Sequence, residues 1–402
     1  MKILFVPKEF PHAKVIGGPI LIYNRIKYLS KDHFVGMASF INEDDKQYLD
    51  TIKPYLSEME LMPYPLEHNF IKKIWDFFFS DIPYYLCPYE STRMRKLIGQ
   101  MTRKTGYDIV ISEYGMMGQY LYRNPHLNPK TKRVMSCHEC YTIARKKVMD
   151  FYGRFSRKGF KAMIELYRLE KYEFSMYRSA DKVLTLTPQE KEGLLAYAPD
   201  LDIEVVPHGT DTDFFTPPKY RSNELALAFL GNYPHDPNRD AVMHFIVDMW
   251  PRIKRAIPHV KFYVIGRGPT QDILDKAKED PDIIVTGQVD DVRDYLKMAN
   301  VFVAPIRLGK GFRGKILEAM SMAIPVVTTS LGAEGISAED MKNIAIANDI
   351  NIFIQKTITL LRDTKLARRI GDNGRALVVN NYSYQKSVEI LENVLKKVAE
   401  GK

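Results

Sequence analysis

The sequence predicts an α/β protein of two Rossmann-like domains facing each other across a cleft. Three observations predict it. At 402 residues the chain is too long for one ordinary hydrophobic core and suits two. Short apolar runs of strand length alternate with charged, helix-period segments in two successive cycles, which implies parallel βαβ units with right-handed crossovers. Between the cycles, VVPHGTDTDFFTPP (205–218) interrupts both periods with Pro, Gly and Asp and reads as a domain junction.

The first cycle opens on KILFVP, a buried strand rather than a secretory signal, because Pro7 ends its short apolar stretch. A loop ending in Gly17-Gly18 follows, then a helix starting at Pro19, where a missing N–H costs nothing. DIVISEY (108–114), KRVMSCHE (132–139) and DKVLTLT (181–187) read as further buried strands, with charged helical stretches such as 162–180 between them. The second cycle runs strand 225–231, helix 237–256, strand 260–266, a helix near 271–278 and strand 283–287. Helix 291–299, strand 301–306, a helix beginning within 308–320 and strand 324–330 complete it. Ligands of such sheets bind beyond the carboxyl ends of the strands, so the cleft is the expected site.

Composition narrows the function classes. No apolar run approaches the roughly 20 residues of a membrane span. Three cysteines form no even framework, which argues against a disulfide-stapled secreted protein and for a cytoplasmic one. The formal charge of +9 points to an anionic ligand, an anionic membrane surface or nucleic acid. Zinc-finger spacing, an RNP aromatic motif and a basic arm are all missing from the sequence, so nucleic acid is not an expected partner.

LGKGFRGKILEAM (308–320) carries the densest chemistry. It leaves a strand through a glycine-bearing loop and enters a helix whose free N–H groups and dipole attract an anion. Arg313 and Lys315 oppose that dipole, and a bound anion removes the conflict. Two cations with backbone N–H groups suit a diphosphate. Glu318, three residues beyond Lys315 on the same face, is placed to accept hydrogen bonds from ribose hydroxyls. The competing interpretation is a solvated helix start with a local Lys315–Glu318 pair.

The same stretch resembles the donor-site signature of retaining glycosyltransferases of family 4, which have the GT-B fold. VVPHGTDTDFF is similar to the family's Pro-Asn-Gly-Val-Asp junction, FLGNYPHDPNRDAV to the start of the donor domain in one subgroup, and 285–329 to the family core. YRLEKYEFSMYRSADKVLTLTPQE resembles the last helix and strand of the acceptor domain. The resemblance implies an acceptor-binding domain over 1–206, a nucleotide-sugar domain over 207–380 and a terminal helix, 381–402, crossing back to the first. It implies that Glu318, the second glutamate of E-x7-E, binds the ribose, and that Arg313 and Lys315 hold the donor diphosphate. His138 in SCHECY matches the histidine of a His-Asp motif at the donor and acceptor site, with Glu139 in place of Asp. Gly17 and Gly18 match the glycine loop near the phosphates, and Gly287, Gln288 and Val289 the loop that meets the base. Gly311 and Phe312 belong to the donor loop. Lys310 departs from the family at the first position of E-x7-E, and Asn232 stands where many relatives have a diphosphate-binding arginine.

The activity so implied is retaining transfer of a hexose-type sugar from a UDP- or GDP-sugar to a glycan or lipid-linked acceptor. Arg313, Lys315 and the helix tip meet the leaving diphosphate, so no metal or other cofactor is expected. A degenerate GT-B subunit that binds nucleotide sugars without transferring them is the alternative, and Lys310 and Asn232 favour it. CHEC (137–140) lacks the second ligand pair of a zinc site. Segment 144–163 carries seven cations against Asp150, a balance of +6, interleaved with Phe151, Tyr152, Phe155 and Phe160. That mix suits an anionic membrane surface and a peripheral position at the inner membrane face, or a solvated hairpin with its aromatics turned inward.

Overall fold

The computed structural model describes residues 1–13, 18–65, 80, 82–153, 155–219, 224–309 and 312–401. The chain divides into two compact units, Met1–Pro207 with Val388–Lys402, and His208–Ser387.

The first unit is a seven-stranded parallel sheet: β1 (Lys2–Pro7), β2 (Phe34–Ile41), β3 (Glu58–Pro63), β4 (Ile109–Glu113), β5 (Lys132–Cys137), β6 (Lys182–Thr185) and β7 (Ile203–Val205), in the order β3-β2-β1-β4-β5-β6-β7. The strands are apolar on both faces, and the period of two sorts them into two cores. Ile3 and Phe5 of β1 join Ile111, Val134 and helix residues Ile22 and Ile26 on one face. Leu4 and Val6 join Val110, Met135, Tyr120 and Met176 on the other. Each face is thus covered by helices, as a doubly wound sheet requires.

The last helix, Tyr384–Ala399, begins in the second unit and from Val388 onward belongs to the first. Its Val388, Leu391, Val394, Leu395 and Val398 are buried in the same core as Ile3 and Phe5.

The second unit is a six-stranded parallel sheet: β8 (Ala226–Leu230), β9 (Lys261–Ile265), β10 (Ile283–Gly287), β11 (Val301–Ala304), β12 (Val326–Thr328) and β13 (Ala345–Ile346), in the order β10-β9-β8-β11-β12-β13. One contiguous apolar cluster, including Phe229, Phe245, Phe262, Phe302 and Leu317, fills its core. The strand order reverses between β8 and β11, and ligands of doubly wound sheets collect at such a switch point.

Three details depart from the sequence reading. β2, β3, β7 and β13 were not among the expected strands. β3 and β7 are the two half-buried edge strands of the first sheet, so their apolar signal is diluted. The expected helix 237–256 is interrupted at Phe245–Met249, where the turn widens to i→i+5 bonding just before Pro251, which has no N–H to donate. The expected helix 291–299 shortens to Arg293–Leu296. Among the described residues, no helix is long and apolar enough to cross a membrane.

Candidate active site

In the second unit the loops leaving β8, β9 and β11 carry the polar groups. The helix Gly314–Ser321 follows β11, with Arg313 at its N-cap position in a conformation that does not cap the helix. Ile316, Leu317, Ala319 and Met320 are buried and pin the helix to the sheet, so Lys315 and Glu318 are held half-buried beside the core. The Lys315 ammonium donates to Asn238 Oδ1 at 2.6 Å and lies 4.6 Å from the centre of the Phe229 ring. Asn238 in turn donates to the Asn232 carbonyl at 2.8 Å, and Arg267 Nε donates to Asn232 Oδ1 at 3.3 Å. A hydrogen-bonded row, Lys315–Asn238–Asn232–Arg267, therefore joins three loops at one sheet edge and has a cation at each end.

Burial dominates the electrostatics of the charged groups at this helix start. Burial, with a smaller contribution from the Arg313 charge, pushes Lys315 down to about 7 even though Glu318 opposes the shift. Burial pushes the Glu318 carboxyl up to about 7 against the pull of Lys315. Burial also lowers Arg313, which Glu334 partly offsets. His235 is lowered by burial and by the charges of Lys315 and Arg313, so its ring lies in the field of both cations. The local Lys315–Glu318 pair weighed from the sequence is not what holds Lys315; Asn238 does.

Phe312 stacks on His208 with ring centres 5.4 Å apart and 11° between planes, and the Tyr382 ring, tilted by 34°, lies 6.1 Å from it. Gly287 ends β10 at φ +68°, a backbone angle that favours glycine. Gln288 is exposed, and Val289 packs on the second core. β9 separates β10 from β8, so Gly287–Val289 stand at the same sheet edge as the cations but one strand away. Gly17, Lys310 and Gly311 lie outside the described residues. Asn238, Arg267 and His208 were not on the sequence-derived list. His208 was legible as the residue replacing Asn in the junction motif, whereas nothing local marks Arg267 as more than part of a turn.

In the first unit His138 follows β5 and donates or accepts at its Nε2, 2.8 Å from Glu113 Oε2. Glu113 is the last residue of β4 and is fully buried. Arg25, also fully buried, donates through Nη1 to both Glu113 oxygens at 2.9 Å and to Ser136 Oγ at 3.0 Å. Burial works to raise Glu113, but Arg25 and then His138 hold it down at about 2. Burial lowers His138, partly offset by Glu113. Tyr114, at φ +75°, stacks on the His138 ring at 4.2 Å. Gly18 is where the Tyr114 phenol needs room: a Cβ there would lie 1.8 Å from its oxygen. Tyr114 thus brings two of the expected site residues, Gly18 and His138, onto one ring.

A second buried carboxylate anchors the His138 loop from behind. Glu173 accepts from the backbone N–H of Tyr141 at 3.0 Å and of Thr142 at 2.8 Å, from Thr142 Oγ1 at 2.6 Å and from Tyr177 at 3.0 Å. It supplies the counter-charge for the start of helix Tyr141–Tyr152. Cys137 and Cys140 are buried free thiols in this packing, and burial raises both well above the ordinary thiol range.

Comparison with known proteins bears on the whole arrangement. The model of Glycosyltransferase Family 4 matches residues 59–214, and that of Glycosyl transferases group 1 matches 224–363. A protein of the Klebsiella pneumoniae cps region is 23% identical, over 96% of this chain and 97% of its own. The Staphylococcus aureus capsular polysaccharide biosynthesis glycosyltransferase CapM is 25% identical, over 61% of this chain and 69% of its own. The structure of Anabaena HepE in complex with UDP-glucose superposes with a TM-score of 0.66 at 13% identity, over 98% of this chain and 99% of that one, and so shares the fold. Two doubly wound parallel units, matched by both family models in their expected order, make this chain an enzyme of the group 1, family 4-like glycosyltransferases, with the GT-B fold.

Proposed function

We propose that the chain moves a hexose-type sugar from a UDP- or GDP-sugar to a glycan or lipid-linked acceptor, with retention of configuration and without a metal. The observation that carries the reading is the row of Arg313, Lys315 and Glu318 at the tip of helix Gly314–Ser321, where burial has displaced both Lys315 and Glu318 to about 7. Cations held half-dehydrated before the reaction are worth most when charge develops on a leaving diphosphate. Arg267 supports the same reading, because it brings a guanidinium to Asn232, the position at which the family resemblance leads one to expect an arginine. The leaving phosphate takes the acceptor's proton on the same face of the sugar, and His138 positions the sugar.

Support for the donor class comes from HepE, solved with UDP-glucose, and for the product class from CapM, a capsular polysaccharide enzyme. Hydrolysis and transfer assays across UDP- and GDP-sugars, each with and without EDTA, test the reading. Turnover that survives EDTA is expected, and strict dependence on a divalent ion overturns the metal-free mechanism.

The acceptor side of the proposal rests on helix Arg157–Arg178. Phe160, Met163, Ile164 and Tyr167 are exposed at spacing i, i+3, i+4, i+7, and Phe155 is fully exposed just before the helix. The inward packing of Phe155 and Phe160 weighed from the sequence is not what occurs. An outward apolar stripe that begins in the segment 144–163, of formal charge +6, and runs on to Tyr167 suits the surface of an anionic membrane, which would present a lipid-linked acceptor.

A further inference from the structure

Three buried residues behind His138 have no part in the reading so far. Glu113, Arg25 and Ser136 come from β4, helix Gly18–Leu29 and β5, and all three side chains are closed off from water. A charge placed there is costly unless it is paired. Arg25 engages both oxygens of Glu113 through a single nitrogen, at 2.9 Å each, while its Nε and Nη2 have no hydrogen-bond partner among the described residues. Such an arrangement uses more buried charge than packing alone calls for.

We propose that Glu113, clamped by Arg25, is a positioning residue that sets the tautomer of His138 and so decides which ring nitrogen meets the sugar. The proposal rests on the reading of His138 as a sugar-contacting residue. An ionised carboxylate only accepts hydrogen bonds, so the His138 nitrogen 2.8 Å away, Nε2, carries the proton. A neutral imidazole has one N–H, which leaves Nδ1 as a lone pair. His138 then offers the substrate an acceptor, suited to a sugar hydroxyl and unsuited to a phosphate oxygen. Tyr114, stacked at 4.2 Å with 28° between planes, holds the ring plane while Glu113 holds its edge. Arg25 keeps Glu113 ionised, and because guanidinium nitrogens only donate, it also keeps both carboxylate oxygens as acceptors.

Glu113→Gln separates this role from a merely structural one. The amide has nearly the shape of the carboxylate. Arg25 Nη1 meets both oxygen positions, but only Oε2 also meets His138. With the amide oxygen kept at the Oε1 position, where Arg25 is its one neighbour of the two, the NH2 takes the Oε2 position, loses the Arg25 bond and turns His138 Nε2 into the acceptor, moving the proton to Nδ1. Imidazole nitrogen NMR on 15N-histidine-labelled protein is expected to show Nε2–H in the wild type and Nδ1–H in the variant. Turnover should fall roughly 10²-fold, as for a misplaced reacting group, while the KM for the nucleotide sugar stays put. Glu113→Asp, which keeps an ionised acceptor, should retain the Nε2–H spectrum. A proton on Nδ1 in the wild type overturns the proposal, as does an unchanged turnover in Glu113→Gln. The wild-type spectrum needs no variant, so it decides the matter even if Glu113→Gln does not fold. Failure of the wild type to turn over any nucleotide sugar would instead sink the transfer reading, since the tautomer is measured without turnover.

Discussion

Burial pushes Lys315 down to about 7 and Glu318 up to about 7, so on the proposed reading of this helix tip nucleotide-sugar binding is expected to be proton-linked. At about pH 8 Lys315 is largely neutral and Glu318 largely ionised. A bound diphosphate raises Lys315 again, so binding takes up protons there. At about pH 6 both groups are protonated, and ribose hydroxyls that donate to Glu318 favour its ionised form, so binding releases protons. Calorimetry with a UDP-sugar in buffers of different ionisation enthalpy should show the proton count change sign close to neutrality. A count of zero at both ends of the range would remove Lys315 and Glu318 from the binding step. Glu318→Ala should weaken nucleoside diphosphate binding by about 1.5–3 kcal/mol, the worth of hydrogen bonds to a charged group, without altering the melting transition. Arg313→Ala should lower kcat/KM roughly 10²–10³-fold, as removal of one preorganised donor does, with binding of the nucleoside alone little changed.

At the scale of the element, helix Arg157–Arg178 presents two different faces. Leu169, Glu173 and Met176 point into the first unit, where Glu173 holds the His138 loop. Phe160, Met163, Ile164 and Tyr167 point out. Substitution of the outward set should therefore leave the fold alone. Ile164→Ser with Tyr167→Ser is expected to abolish co-sedimentation with vesicles of anionic phospholipid while UDP-sugar binding by calorimetry is retained. Replacing Lys146 and Lys147 with Glu should weaken vesicle binding by about 1 kcal/mol per charge removed, and high salt should reproduce the loss. Wild-type protein that ignores such vesicles at low salt returns the stripe to a solvated helix face. Glu173→Gln, by contrast, should destabilise the protein, because the carboxylate accepts from two helix N–H groups and two hydroxyls in a buried site.

The whole molecule depends on its last helix more than chain order suggests. Five aliphatic side chains from Val388 to Val398 complete the core that holds Ile3, Phe5 and Ile111. Burying each is worth about 1.5–3 kcal/mol, so a chain ending at Ser387 should lose most of the margin of its first unit. Differential scanning calorimetry should show one transition moved down or lost, with the other kept, because the second unit has its own contiguous core. A truncated chain that melts like the full one would contradict this account of the helix.

The sequence by itself determined the α/β class, the two cycles of strand and helix and the family, and it singled out the cation-bearing helix start in 308–320. Each of these is written in local signals: apolar runs of strand length, Gly and Pro punctuation, and cations at a helix start. Arg313, Lys315 and Glu318 could be grouped from the sequence because they lie close together at one helix start. Four features were decided only by tertiary structure. Arg267 reaches Asn232 because β9 lies beside β8, a pairing of residues 35 apart. Glu113 meets Arg25 and His138 because β1, β4 and β5 are adjacent, which joins residues 88 and 25 positions apart. Phe160 and its neighbours face outward because Glu173 and Leu169 occupy the inward face of the same helix, a choice that an amphipathic pattern with aromatics on both sides leaves open. Edge strands such as β3 carry a diluted apolar signal because one side of each lacks a covering neighbour. Local chemistry is read along the chain, whereas partners across a parallel sheet are chosen by strand order, and strand order has no local residue code.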